Sequence, residues 1–432
     1  MNRGEAIMTA ARNTETTTAG NSSILFVAEG VSLAHVARPA LLARWAAEAG
    51  HEVSFACSSR FAWVARCEGL TPIEIETIGD ADFYSRLSHG KFFYTVEDIR
   101  RYISAEVELM SRLDPDLVVG DFRLTLPVSA WYAGVECLSL ANAYWSPVAE
   151  RRLSPPEAGF FGLLPSGIRE TLFSALKPLA YRMFAAPLDR VRKSYGLPAF
   201  SDFRQHYTGG DTCGYMDLPS LVPLEQPPSN HFYLGPVIWH PRGLPEPSLS
   251  GLGLERPLAY VTMGSSGDRR LLPAICGELL GANCDLAISG IRQEEQEMLL
   301  AEVPGLKGRS VLGQFFSPKA ALARASFTVC HGGNGTVYQS LEAGVPVVCL
   351  PSNPDQSLMS DATEAAGAGI VAQRNSIRRS IDMVLDGRHG SAARRLADAI
   401  AGYDTRSRWQ AFIAGAEKAP AVVEVEELAT VA

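Results

Sequence analysis

From residue 24 onward the chain alternates short apolar runs, rich in Val, Ile and Leu, with longer stretches of helical period. Runs that are apolar throughout, rather than alternating, are typical of strands in a parallel sheet covered by helices on both faces. "ILFVAE" (24–29) predicts a first strand leading into a helix near 36–49, followed by "EVSFAC", "DLVVGD" (116–121) and "CLSLAN" (137–142). The rhythm restarts after residue 257 with "PLAYVTM", "CDLAIS", "SVLG", "SFTVC" and "VPVVCLP". Two α/β units are therefore expected, over 23–235 and 257–405. Between them "GPVIWHPRGLPEPSLSGLGLERP" is too dense in Pro and Gly to continue a helix or a central strand, which marks a linker at 236–256. Residues 150–210 are aromatic- and proline-rich with helical pieces; they predict either a helical excursion on the first unit or a wall of an apolar pocket. A helix at 406–418 is expected last, with its return to the first unit left open.

The first 22 residues are rich in Thr and Asn and lack the apolar core of a secretory signal, so a disordered segment is expected there, with Met8 as an alternative start. The acidic stretch at 419–432 reads as a disordered tail. No apolar run approaches 18 residues, so no membrane span is expected, while peripheral membrane contact stays open. With 47% hydrophobic residues, two sizeable cores can be buried. The formal charge of -8 argues against nucleic acid as a partner. The eight cysteines form no C-x-x-C pair and several lie inside apolar runs, as in "VSFAC" and "VVCLP". That usage fits a reducing cytoplasm without structural metal.

The chemistry concentrates in "CHGGNGTVYQSLEAGVPVVCLPSNPDQ" (330–356). "SFTVC" reads as a buried parallel strand with His331 at its carboxyl end, where open α/β sheets bind ligands and the next helix directs unpaired N–H groups at them. Gly332, Gly333 and Gly335 let a ligand approach the backbone, Thr336 adds a hydroxyl and His331 a ring N–H, a set suited to a diphosphate. The second run, "VPVVCLP", delivers Asp355 and Gln356 to the same rim, where a carboxylate and an amide suit sugar hydroxyls. A nucleotide sugar fits both halves.

These residues resemble the donor signature of the family 1 nucleotide-sugar glycosyltransferases, whose fold, GT-B, is two Rossmann-like domains facing across a cleft. The match runs in order through "HGGNGT", "EAGVP", "LP" and "DQ". The resemblance implies a UDP- or dTDP-sugar donor and assigns His331, Gly333, Asn334, Gly335, Thr336, Asp355 and Gln356 to it. It extends to "LGQFFSPKAALARA" (312–325), where Phe316 is the candidate for stacking on the base, and to "VTMGSS", where Ser265 reaches the diphosphate. Two positions depart from the family pattern: Lys319 replaces a common Gln, and Gln339 replaces a common Glu that would hold the ribose. Gln339 keeps hydrogen-bonding capacity without charge.

Transfer to an alcohol needs a base for the acceptor proton, and a histidine oriented by a buried acid suits that task. "VSLAHVARP" places His35 in the first strand-to-helix loop, and the resemblance names it as the base, with Asp121 at the end of "DLVVGD" as its acid partner; an N-cap is the alternative for Asp121. Two Asp-x-Asp pairs, Asp80/Asp82 and Asp114/Asp116, look like chance acidic spacing, so no metal or other cofactor is expected. "ILFVAEGVSLAHV", "DLVVGDFRLTLPVSAWYAGV" and "ANAYWSP" are similar to bacterial glycosyltransferases of phenolic glycolipid assembly, including rhamnosyltransferases. That similarity, with the aromatic stretches "HGKFFY" (89–94) and "NAYWSP" (142–147), implies a small hydrophobic alcohol or phenol as acceptor, such as a phenolic lipid or polyketide, and single-displacement transfer implies inversion. The competing readings are a nucleotide-sugar epimerase of the same fold and a non-catalytic sugar-nucleotide-binding partner subunit.

Overall fold

The computed structural model describes residues 22–88, 91–149 and 165–415. The expected N-terminal segment up to residue 21, the acidic tail, His89 and Gly90 of the first aromatic stretch, and residues 150–164 of the aromatic, proline-rich region lie outside the described residues.

Two all-parallel sheets organise the chain. The first contains β1 (Ser23–Ala28), β2 (Glu52–Cys57), β3 (Pro72–Glu74), β4 (Leu117–Asp121), β5 (Glu136–Ala141), β6 (Thr212–Tyr215) and β7 (His231–Tyr233), in the order β3-β2-β1-β4-β5-β6-β7. The second contains β8 (Leu258–Thr262), β9 (Asp285–Ser289), β10 (Ser310–Gly313), β11 (Phe327–Cys330), β12 (Val347–Cys349) and β13 (Gly369–Val371), in the order β10-β9-β8-β11-β12-β13. The central strands are apolar through their middles because both faces are covered: Leu25, Phe26 and Val27 are each fully buried, as are Leu286, Ala287 and Ile288.

In both sheets the strand order reverses beside the first strand, between β1 and β4 and again between β8 and β11. Connections leave to opposite sides at such a point, opening a crevice beyond the carboxyl ends of the strands. Register places Ala28 beside Asp121 in the first crevice and Thr262 beside Cys330 in the second. Those four residues introduce the loops that carry most of the candidate chemistry.

The helical pieces after residue 165 form one helix, Ser166–Ser194, passing through Pro178 and Pro187. Its later part packs on the first unit through the buried Ala185, Leu188 and Val191. The helix Thr405–Ile413 also packs on the first unit: Trp409 is fully buried among Phe26 and Leu42, its indole N–H donates to the Leu42 carbonyl at 3.0 Å, and Phe412 stacks on Phe232. The Pro/Gly-rich stretch has no regular structure between Tyr233 and Leu258, yet Trp239 within it is buried and donates to Glu68 at 2.8 Å. The units are thus joined by buried side chains as well as by the chain.

No helix among the described residues is long and apolar enough to cross a membrane.

Candidate active site

The two crevices open onto one cleft of about 1870 Å³, lined by His35 and Phe122 from the first unit and by Ser265, His331, Thr336 and Asp355 from the second.

On the first side, His35 is not in the loop after β1 but is the second residue of the helix Ala34–Glu48, and its Nδ1 lies 2.9 Å from Oδ1 of Asp121, the last residue of β4. The sequence alternative for Asp121, a helix N-cap, is not what its carboxylate does here. Both its oxygens face Arg38, one turn beyond His35: Nε meets Oδ2 at 2.9 Å and an η nitrogen meets Oδ1 at 3.0 Å. Burial raises the Asp121 carboxyl, but the guanidinium and His35 outweigh it and hold the group below the usual carboxylate range. An ionised carboxylate only accepts, so His35 Nδ1 carries the proton and Nε2 is left with the lone pair. Arg38 is itself buried, donating also to Asn142 at 2.7 Å and, across the units, to Asn334 at 3.4 Å. Sequence reasoning passed over Arg38; the readable signal was a second polar residue three positions after His35, hence on the same face of the helix, in a first half that is otherwise apolar.

On the second side, His331 follows β11, and the helix Asn334–Glu342 begins three residues later. The glycines divide by role. Gly332 has a positive φ of 78°, and a Cβ there would lie 2.1 Å from Ser360 Oγ; a Cβ on Gly333 would lie 2.3 Å from His331 Nε2, and one on Gly264 2.5 Å from His331 Cε1. Gly332 and Gly333 are therefore required by the protein's own packing, and only Gly335 has open space where a ligand would gain from a missing Cβ. Burial lowers the His331 imidazole to about 4, so it is neutral near pH 7, and its Nδ1 is buried without a hydrogen-bond partner. Gly333→Ala would force an imidazole boxed between glycines to move; a loss of about 1–3 kcal/mol in stability is expected, checked by chemical denaturation. An unchanged midpoint would mean the ring is free to turn.

The remaining candidates are drawn into contacts between the units or within the second one. Ser265 is exposed and accepts from the Leu33 N–H at 3.2 Å, which ties the turn after β8 to the loop before His35. Asn334 donates to Asp217 of the first unit at 3.1 Å as well as accepting from Arg38, so both ends of its amide bridge the cleft. Asp217 also accepts from Tyr338 at 3.1 Å and from the Ala143 N–H at 2.6 Å; burial dominates and raises it to about 6 despite these donors. Asp355 accepts on one oxygen from Trp145 Nε1 at 2.8 Å and from the Tyr144 hydroxyl at 3.2 Å. Gln356 is buried, its amide oxygen holding Ser352 and its amide nitrogen Ser266, so it shapes the rim from within.

Gln339, expected to face the ribose, donates to the Trp239 carbonyl at 2.7 Å and keeps its amide oxygen. Phe316 lines the cleft but is only 4% exposed, packed beside Tyr260 in the core cluster of Leu249 and Leu322. The open ring at this level is Phe315, 46% exposed and 5.8 Å from Trp63, which the sequence reading did not single out. The Asp-x-Asp pairs are engaged elsewhere: Asp80 pairs with Arg60 at 2.7 Å and Asp116 accepts from the Ser23 N–H at 2.8 Å.

A family described as "Erythromycin biosynthesis protein CIII-like, C-terminal domain" matches residues 288–405. Among curated proteins, a "PGL/p-HBAD biosynthesis glycosyltransferase" of Mycobacterium tuberculosis (strain ATCC 25177 / H37Ra) is 38% identical over 387 residues, covering 87% of this chain and 88% of the relative. A "PGL/p-HBAD biosynthesis rhamnosyltransferase" of Mycobacterium bovis (strain BCG / Pasteur 1173P2) is 36% identical over 384 residues, covering 87% and 84%. The solved structure of a Streptomyces sp. SF2575 glycosyltransferase complexed with thymidine diphosphate aligns with a TM-score of 0.64 at 21% identity, over 91% of this chain and 99% of that one. With this fold and those relatives over most of its length, the chain belongs to the GT-B glycosyltransferase family that includes the PGL/p-HBAD biosynthesis enzymes.

Proposed function

We propose that this glycosyltransferase moves a hexose or deoxyhexose from a UDP- or dTDP-sugar to the hydroxyl of a small hydrophobic, aromatic acceptor, with inversion at the anomeric carbon. One observation carries the reading. His35, backed by buried Asp121 at the switch point of one sheet, and the glycine turn at the switch point of the other line the same cleft.

In this reading the diphosphate rests on the N-terminus of the helix Asn334–Glu342, with Thr336 and Ser265 as hydroxyl donors. The neutral His331 serves there as an N–H donor without adding charge. Asp355, one oxygen already committed to Trp145 and Tyr144, has the other for a sugar hydroxyl. Nε2 of His35 takes the acceptor proton as the oxygen attacks the anomeric carbon and the diphosphate departs from the opposite face. Backbone N–H groups and the helix dipole meet the leaving charge, so the mechanism calls for no metal and no other cofactor. The rings of Phe93, Phe122, Tyr181, Phe184 and Tyr207 along the first side of the cleft suit a flat apolar acceptor. The names of the curated relatives, which point to glycolipid assembly, and the thymidine diphosphate bound by the structural neighbour support donor and acceptor of these classes.

The test is a mass-spectrometric screen of UDP- and dTDP-hexoses and deoxyhexoses against pooled phenols and polyketide alcohols, run with and without EDTA. The expected result is a glycosylated acceptor of inverted configuration in both arms. Epimerised nucleotide sugar without acceptor, tight binding with no product, or a reversible loss with EDTA would each overturn the reading.

A further inference from the structure

We propose that Phe122 is a positioning residue for His35, holding the imidazole by stacking and stabilising it once it has taken the acceptor proton. The proposal rests on His35 being the base.

Phe122 follows Asp121 with φ of 57°, a left-handed backbone that a bulky aromatic residue seldom adopts. Such a conformation persists where the surroundings over-determine it, and it often marks a functional site. Its effect here is geometric. The chain reverses just after the strand ends, and the Phe122 ring lies over the His35 ring with centroids 4.7 Å apart and planes 14° apart. Further rings hold Phe122 from other sides: Phe93 at 5.5 Å, Phe83 at 6.0 Å and Tyr207 at 5.4 Å. Tyr207 in turn stacks on Trp145 at 4.8 Å, planes 4° apart, and Trp145 donates to Asp355. A continuous run of rings thus joins His35 to the carboxylate on the far side of the cleft.

The charges around His35 show why a ring is useful there. Asp121 accepts from His35, but both its oxygens are also held by Arg38, whose η nitrogen lies 3.2 Å from His35 Nδ1. Glu29, at the end of β1, interacts electrostatically with His35 but is paired with the buried Arg123 at 3.3 Å. Arg123 is itself shared with Glu106 at 2.5 Å, so the three carboxylates and two guanidiniums are spent largely on one another, and of the three carboxylates Asp121 is the one that bonds the imidazole. An aromatic face attracts a cation without requiring a counter-charge, and does so best where water is excluded. The Phe122 face meets that need, and it leaves the uncharged imidazole correctly aimed.

The test compares Phe122→Leu, Phe122→Met, Phe122→Tyr and Phe122→Trp for kcat, acceptor KM, nucleotide Kd and the pH dependence of kcat/KM. Leu and Met should lower kcat about tenfold and move the acid limb of the profile to lower pH, because a less stable imidazolium titrates lower. Tyr and Trp should restore most of kcat, and nucleotide Kd should not change. In a His35→Ala background, Phe122→Leu or Phe122→Met should cost nothing further. The proposal is overturned if whichever of Leu and Met folds keeps both kcat and the acid limb, or if the loss persists at full size without His35. Turnover that survives His35→Ala alone would instead remove the base assignment.

Discussion

His35→Ala should lower sugar transfer by about 10²–10⁴-fold while leaving the affinity for UDP or dTDP within about twofold, since general-base catalysis is usually worth that much. The size of the effect follows from how the ring is held. Asp121 is ionised and accepts from Nδ1, which fixes the tautomer that leaves Nε2 basic, and the Phe122 ring fixes the plane. Alanine removes the lone pair, while Arg38 still holds both oxygens of Asp121, so the buried carboxylate keeps its counter-charge. In the proposed reading the nucleotide groups sit on the other unit, which the His35 side chain does not bond directly; Leu33 meets Ser265 and Arg38 meets Asn334 there, and both links stay in the variant. Kinetics under saturating donor and calorimetric titration with the free nucleotide would check both halves. Near-normal turnover would mean that another group, or water, takes the acceptor proton.

The parts of the site that could be read in the sequence are those fixed by strand ends. Asp121 and His331 stand at or just after the carboxyl end of an apolar run, and His35 and Asp355 each lie one short loop beyond one; a parallel sheet sends such positions to one rim whatever else the chain does. What escaped depends on partners far away in sequence. Asn334 and Asp355 have the side chains of ligand-binding residues, but 296 positions separate Asn334 from Arg38 and 210 separate Asp355 from Trp145. Nothing local encodes those pairings. Phe315 and Phe316 are identical letters in adjacent positions, and only the packing of distant residues such as Leu249, Tyr260 and Val345 decides which ring is covered. Strands β3, β7 and β13, three residues each, carry too few positions for a period to show. The left-handed backbone at Phe122 ran against propensity, which would have placed Gly or Asn there.

Arg38→Met should destabilise the folded protein by about 3–5 kcal/mol at neutral pH, the usual consequence of removing one partner from a buried ion pair. Methionine keeps much of the volume, so the loss is electrostatic: Asp121, 1% exposed, would keep only the His35 N–H, and Asn142 and Asn334 would each lose a donor. The pH dependence gives the stronger check. In the native protein Asp121 titrates below its unfolded value, so it contributes stability above about pH 4 that is lost as pH falls through its folded value. Without the guanidinium, burial is opposed only by His35, and the folded value is expected to rise above the unfolded one. The sign then reverses, and the variant should lose stability as pH climbs past the unfolded carboxylate range. The gap between the two proteins should therefore be widest at neutral pH and should narrow on acidification, measured by urea denaturation across pH 4–8. Asp121→Asn in the Arg38→Met background removes the buried charge and should recover part of the loss. A gap independent of pH, or no recovery in the double variant, would mean that Arg38 acts by packing and that the carboxylate beside the base stays ionised without it.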